Sequence, residues 1–364
     1  MDKILEQIKE LEKELSTTKY NKATQHHVGL VKAKLARLKD KQAARSKKSG
    51  AKTGFSVRKT GDGTVVLVGF PSVGKSTLLN ALTTANSKVA AYEFTTLDVI
   101  PGILEHEHAK IQILDVPGIV HGAAAGTGRG KEVLAVMRSA DLVVFLIDIM
   151  HPEHYEALKK EVYDSGIRVN QKRPDVKIVK KQRGGIRVGS TVKLTWIDED
   201  TIKDILKEFR ISNADVVVRE DITADQLIDV IDENRVYLPA VTILNKIDLV
   251  DEKTLEKVKK RLKPDLAISA DKKILIGRLK DIIYHGLKVI RIFCKEAGKP
   301  ADLDVPLIMF EDATVEDMCS KLHKDFVKKF KFARIWGKSS KFPGQKVMLG
   351  HRLVDGDIVE IHVR

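Results

Sequence analysis

Thr64-Val-Val-Leu-Val68 runs directly into Gly69-Phe70-Pro71-Ser72-Val73-Gly74-Lys75-Ser76, followed by Thr77-Leu-Leu-Asn80. The apolar β-branched run predicts a buried strand over Thr64–Gly69, and the stretch from Lys75 to Thr84 predicts a helix. Between them lies the pattern G-x-x-x-x-G-K-[ST], placed where its chemistry requires, after a hydrophobic strand and at a helix start. Glycines at 69 and 74 let the backbone wrap a phosphate, so that successive N–H groups and the helix N-terminus point at the anion. Lys75 would bridge the β- and γ-phosphates and the Ser76 hydroxyl would coordinate Mg²⁺. Thr77 is assigned to the same nucleotide-binding stretch.

Outward from this loop, Ile111–Asp115, Leu142–Asp148 and Ala240–Asn245 are further short apolar runs separated by helical patterns. Such runs predict an α/β domain with a parallel-type sheet covered on both faces. Two of them end in motifs. Asp115-Val-Pro-Gly118 supplies an aspartate to hold Mg²⁺ through a water and a glycine N–H, at Gly118, to sense the γ-phosphate. Asn245-Lys246-Ile-Asp248 supplies a carboxylate, Asp248, that accepts both N1–H and the exocyclic amine of guanine. Adenine lacks that donor pair, so the carboxylate would be left unpaired against it, which separates the two bases by orders of magnitude. Asn245 is expected to brace the loop and face the far edge of the base, and the Lys246 stem to cover the ring. Ser269-Ala270, after a short strand at Leu266–Ile268, offers a backbone N–H to guanine O6. Motifs in this order, each at the carboxyl end of a strand, specify a site for GTP or GDP with Mg²⁺.

Composition frames the rest. The chain has 364 residues, 43% hydrophobic and 31% charged, enough for two or three domains. No apolar run reaches the roughly 18 residues of a membrane span, and the mixed Met1–Lys13 does not read as a secretory signal. Two unpaired cysteines, Cys294 and Cys319, exclude a disulfide framework or a four-ligand zinc site and fit a reducing cytoplasm. The net charge of +14 is uneven: residues 18–59 hold thirteen Lys/Arg against one acid, Asp40. A basic arm on a near-neutral body predicts a polyanion partner. Only Tyr20 and Phe55 are aromatic there, so contact would be with phosphates and shape. Arg168–Lys193 is a second basic patch, free to join that surface or to pair with the acidic stretch Asp198–Glu233. His106 and His108 are expected to share a face of one strand, Val99–Ile113, without a third metal ligand. The adjacent His26 and His27 do not converge on a metal.

Helical spacing of Ile4, Ile8, Leu11 and Leu15, then Val28, Val31, Leu35 and Leu38, predicts a helical hairpin. The expected organisation is a basic hairpin at 1–45, a linker at 46–60 that overlaps the small, basic tract Ala44–Gly54, and the nucleotide domain at 61–165 and 235–287. A small α+β insertion occupies 166–234 and a last α+β domain 288–364. In that last domain Thr314 and Asp317 predict a helix cap.

The sequence resembles the developmentally regulated GTP-binding proteins of the Obg-related class over essentially its whole length. The likeness lies in GFPSVGKSTLLN (Gly69–Asn80), AAYEFTTL (Ala90–Leu97), DVPGIV (Asp115–Val120), GTGRGKEV (Gly126–Val133) and NKATQHHVGLVKAKLARL (Asn21–Leu38). The tail Glu360–Arg364 has an archaeal look. The resemblance implies a P-loop GTPase domain interrupted by an insertion, with a β-grasp TGS domain at 288–364, GTP hydrolysis, and ribosome association. It assigns Thr95 and Thr96 to the first switch, with Thr96 ligating Mg²⁺, and Val116–Gly130 to the second. Catalysis then falls to Lys75, Thr96 and Gly118. Ile119 stands where many GTPases carry a water-orienting glutamine, so intrinsic turnover is expected to be slow. His121 is read as an exposed loop histidine within reach of that water. Ser72 replaces an asparagine that holds K⁺ in relatives, leaving a monovalent cation open. Expected partners are ribosome or RNA through the arm and TGS domain and a regulatory protein, with no membrane and a monomeric chain. The alternative is a nucleotide-sensing scaffold or RNA-binding module with negligible hydrolysis.

Overall fold

The computed structural model describes residues 3–47, 61–83, 100–115 and 136–364. Thr95, Thr96, Gly118, Ile119, His121 and residues 48–60 lie outside them. The chain opens with helices α1 (Lys3–Thr17) and α2 (Gln25–Lys47), then β1 (Gly63–Val68), α3 (Lys75–Leu82), β2 (Ile100–His106), β3 (Ala109–Asp115) and β4 (Leu142–Asp148). There follow α4 (His154–Asp164), β5 (Ile167–Val169), β6 (Val176–Lys180), β7 (Ile186–Ser190), α5 (Glu199–Glu208), β8 (Ala214–Val218), α6 (Ala224–Asp232) and β9 (Val236–Leu238). Next come β10 (Ala240–Asn245), α7 (Glu252–Leu262), β11 (Leu266–Ala267) and α8 (Ile276–Gly286). The last stretch holds β12 (Val289–Cys294), β13 (Leu307–Phe310), α9 (Val315–Leu322), α10 (Lys324–Lys329), β14 (Phe330–Trp336), β15 (Gln345–Val347) and β16 (Ile358–Val363). Helix α2 runs to Lys47, two residues into the stretch expected as linker.

Contacts divide the chain into two compact units. One comprises residues 55–165 and 238–364. Its main sheet has the order β11-β10-β4-β1-β3-β2, parallel except for the antiparallel edge strand β2. Strands β1, β4 and β10 are buried along their whole length because helices cover both faces. Their core includes Val65, Leu67, Leu78, Ile113, Val144, Leu146, Ile243 and Leu279. Burying each such side chain stabilises by roughly 1.5–3 kcal/mol. The single strand expected over Val99–Ile113 is instead a hairpin: Glu107 and His108 both take positive φ, 48° and 65°, and turn the chain between β2 and β3. No Gly or Asn marks that turn, yet the twist of the paired strands demands left-handed residues in a two-residue connection. His106 therefore does not share a strand face with His108; it bonds Asp281 at 2.8 Å.

The same unit carries a five-stranded sheet of order β13-β12-β16-β14-β15, packed on α9 and α10. The predicted cap is present: Thr314 Oγ1 accepts from the Asp317 N–H and the Thr314 N–H donates to Asp317 Oδ2 at 2.8 Å. Cys319 is buried and Cys294 half-buried, and burial pushes both thiols above their ordinary range, so neither is a poised nucleophile.

The second unit joins residues 1–54 with 166–237. Its three-stranded sheet, β6-β8-β7, packs beneath α5 and α6, and α2 seals the same core by inserting the fully buried Ala33 among Ile202, Ile205 and Leu227. Gly29 permits this approach, because a Cβ there would meet the Thr201 methyl at 3.0 Å. The basic arm and the acidic insertion also pair. His26 meets Asp204 at 3.1 Å, Lys32 meets Asp225 at 2.5 Å and Arg37 meets Glu208 at 2.8 Å. From the second basic patch, Arg168 is buried and forks onto Asp229 at 2.6 and 2.7 Å, while Lys181 pairs with Asp215. Asp229 also accepts from Arg235 at 2.9 Å. Among the described residues, no helix is long and apolar enough to cross a membrane.

Candidate nucleotide site

The parallel sheet brings the carboxyl ends of β1, β3, β4, β10 and β11 to one edge, and the residues predicted from motifs gather there. Register fixes their relation: Leu67 of β1 lies beside Asp115, Asn245 beside Asp148, and Leu244 beside Ala267. The loop Gly69–Gly74 cannot form with larger residues at its ends. A Cβ at Gly69 would stand 2.7 Å from the Leu146 carbonyl oxygen. At Gly74, whose φ is +95°, it would stand 2.7 Å from Asn245 Nδ2. Ser72 also takes a positive φ, 62°.

Lys75 is buried at the start of α3 and folds back over the loop, donating to the carbonyls of Gly69 at 3.0 Å and Phe70 at 3.1 Å. Burial lowers its pKa, while the neighbouring Asp115 carboxylate pulls the other way. A partly dehydrated cation at a helix start suits phosphate oxygens. Ser76 Oγ donates to Asp115 Oδ2 at 2.9 Å, and Asp115 Oδ1 is buried with no hydrogen-bond partner. An orphaned buried carboxylate oxygen beside a hydroxyl is a hard-oxygen set that fits Mg²⁺. Ser76 and Asp115 are the described residues that would hold it.

Asn245 ties the site together. Its Nδ2 donates to the Val73 carbonyl at 2.8 Å and its Oδ1 accepts from the Ala270 N–H at 3.0 Å, joining the phosphate loop to the Ser269-Ala270 segment. The Ala270 N–H is thus directed at Asn245. Ser269 turns its hydroxyl to the Lys272 N–H at 3.1 Å. Lys246, at φ 64°, sends Nζ to the Ser72 carbonyl at 2.8 Å and to Asp148 Oδ2 at 2.7 Å. That left-handed turn leads into a short 3₁₀ segment, Ile247–Leu249, which leaves Asp248 exposed at the rim. Pro71 lies in the exposed part of the loop and Thr77 on the exposed side of α3.

Two residues here carry no motif. Asp148 anchors Lys246 and also accepts from the Met150 N–H at 2.9 Å. An acid closing the run LVVFLID, in register with Asn245, is the signal that would have found it. His154 stacks on Phe70 of the phosphate loop, ring centroids 4.2 Å apart, and on His151 at 5.1 Å and 20°. His151, Glu153 and His154 bring donor atoms within 4.8 Å of one another. With the two imidazoles nearly parallel, their in-plane lone pairs do not converge, so the group serves as a buttress for Phe70 and not as a metal site.

Fold and site together define a P-loop GTPase domain followed by a TGS domain. Residues 64–181 match the family described as 50S ribosome-binding GTPase, 183–289 the C-terminal region of that domain, and 290–363 the TGS domain. An uncharacterized GTP-binding protein of Methanocaldococcus jannaschii is 55% identical, covering 99% of this chain and 93% of its own length. Developmentally-regulated G-protein 3 of Arabidopsis thaliana is 45% identical over 99% of each chain. Developmentally-regulated GTP-binding protein 2 of Homo sapiens is 42% identical over 98% of this chain and 99% of its own. The chain belongs to the developmentally regulated GTP-binding protein family, a class of GTP-binding GTPases.

Proposed function

We propose that this protein is a slow, Mg²⁺-dependent GTPase whose nucleotide state governs its association with ribosomal RNA in the cytoplasm. The observation that carries the reading is the pair of bonds from Asn245, which couples the phosphate loop to the base-reading turns in a single rigid frame. In this account Gly69–Thr77 holds the phosphates, Ser76, Asp115 and Thr96 hold Mg²⁺, and Asp248 selects guanine. Lys75, Thr96 and the Gly118 N–H stabilise charge on the γ-phosphate in the transition state. Held there, Mg²⁺ would supply charge neutralisation to the phosphates. Ile119 cannot orient water, so turnover is slow unless a partner protein or the ribosome supplies a group. Ser72 argues against a strong K⁺ requirement. The TGS-domain and ribosome-binding GTPase matches, the net charge and the exposed lysines outside the arm's ion pairs support an RNA partner for the monomer.

Co-sedimentation with ribosomes in a non-hydrolysable GTP analogue, in GDP and without nucleotide tests this. Pelleting that depends on nucleotide is expected. Equal pelleting in all three conditions, or none in any, would contradict it.

A further inference from the structure

Residues 321–346 hold nine Lys/Arg, one acid and five aromatic rings, a pattern the basic arm lacks. The fold displays part of this stretch on one face of the C-terminal sheet. The inner face is core: Ile290 and Ile292 from β12, Ala333 and Ile335 from β14, Val359 from β16. On the outer face, the β12–β13 end is occupied. Ile308 is buried in the core of the GTPase domain and Arg291 pairs with Glu107 at 3.2 Å.

Across β16, β14 and β15 the same face presents rings and cations. Phe332 lies opposite His362 and the rings stack at 4.3 Å and 21°, while Arg334 lies opposite both Glu360 and Lys346. Lys346 Nζ sits 4.8 Å from the Phe332 centroid, and Lys295 Nζ 4.9 Å from the Trp336 centroid. Glu360, the carboxylate among them, is buried, and its hydrogen bonds to Lys295 and His362 hold it below the ordinary carboxylate range. The face therefore combines net positive charge with two rings about 13 Å apart along one strand.

Duplex RNA is bound through shape and phosphates and gives such rings nothing to do, whereas unstacked bases lie on aromatic faces while cations track the backbone. A purely apolar protein partner would not suit rings capped by ammonium groups. We infer that this face is a stacking platform for single-stranded RNA. Bases engage Phe332 and Trp336, and Lys346, displaced from the Phe332 ring, reaches the adjoining phosphates with Arg334, while Lys295 stays paired with Glu360. This rests on the RNA reading above and names the form of RNA and the surface.

The test uses the full chain in a Trp196→Phe background, which leaves Trp336 as its sole tryptophan. Oligouridylate and an RNA duplex of equal charge are titrated at low salt, following Trp336 fluorescence and anisotropy of labelled RNA. The single strand should quench Trp336. Phe332→Ala should weaken single-strand binding by about tenfold while leaving duplex binding and GTP affinity unchanged. Lys346→Glu, at an exposed position tolerant of substitution, should weaken it several-fold and flatten its salt dependence. Single-strand binding with no quenching, and both variants equal to the parent, would overturn the platform while leaving the RNA reading intact. Absence of binding by either RNA would overturn both.

Discussion

Asn245 bonds to two segments that sequence separates widely, and its loss leaves the Val73 carbonyl and the Ala270 N–H without partners. Buried groups orphaned in this way cost about 1–3 kcal/mol each. Asn245→Ala is expected to lower unfolding stability by about 2–4 kcal/mol and GDP affinity by at least tenfold, read by urea denaturation and a fluorescent nucleotide. Asp248 is different: it is exposed at the rim. Asp248→Asn should leave stability unchanged and shift preference from guanine to xanthine nucleotides, and unaltered GTP affinity would refute its role. Asp248, Asn245, Lys75 and Ser76 were legible because each belongs to a motif whose spacing is dictated by one ligand. Asp148 and His154 were not, because an acid at a strand end and a histidine at a helix start are common. Their meaning appears only when register sets Asp148 beside Asn245 and the fold lays His154 on Phe70.

Among elements, the parallel strands were legible to within a residue or two, since continuous apolar runs have few other uses. The β2–β3 hairpin was not, because its turn is made by Glu107 and His108 against their local preference. The insertion's interior was legible only as two alternatives, surface charge or pairing with the acidic stretch, and Arg168 takes the second, buried against Asp229. Removing that carboxylate takes from the buried Arg168 its two-pronged partner, while Arg235 keeps Asp232 at 2.9 Å. Asp229→Ala is expected to cost about 3–5 kcal/mol, whereas replacing Arg168 and Asp229 together by leucine should recover most of it. Chemical denaturation of both variants checks this, and equal destabilisation by the single and double changes would contradict the pairing.

At the scale of the molecule, the basic arm was legible in sequence, but its part in packing the insertion was not. Thirteen basic residues at 18–59 suggested a free arm, yet Lys32, Arg37 and His26 meet acids of the insertion and Ala33 lies in the insertion's core. Deleting residues 1–47 should therefore open residues 166–237 to limited proteolysis, in addition to any effect on RNA. Charge reversal at exposed positions such as Lys34 and Lys41 tests RNA contact without that damage. Proteolytic resistance equal to that of the intact chain would show the arm to be dispensable for the insertion. The central claim, a guanine-specific Mg²⁺-dependent GTPase with slow intrinsic turnover, is tested most directly by single-turnover hydrolysis of γ-labelled GTP and ATP with Mg²⁺ or with EDTA. Slow phosphate release from GTP, none from ATP, and loss of release in EDTA is the predicted result. No release from GTP above background, even with ribosomes added, would contradict the account.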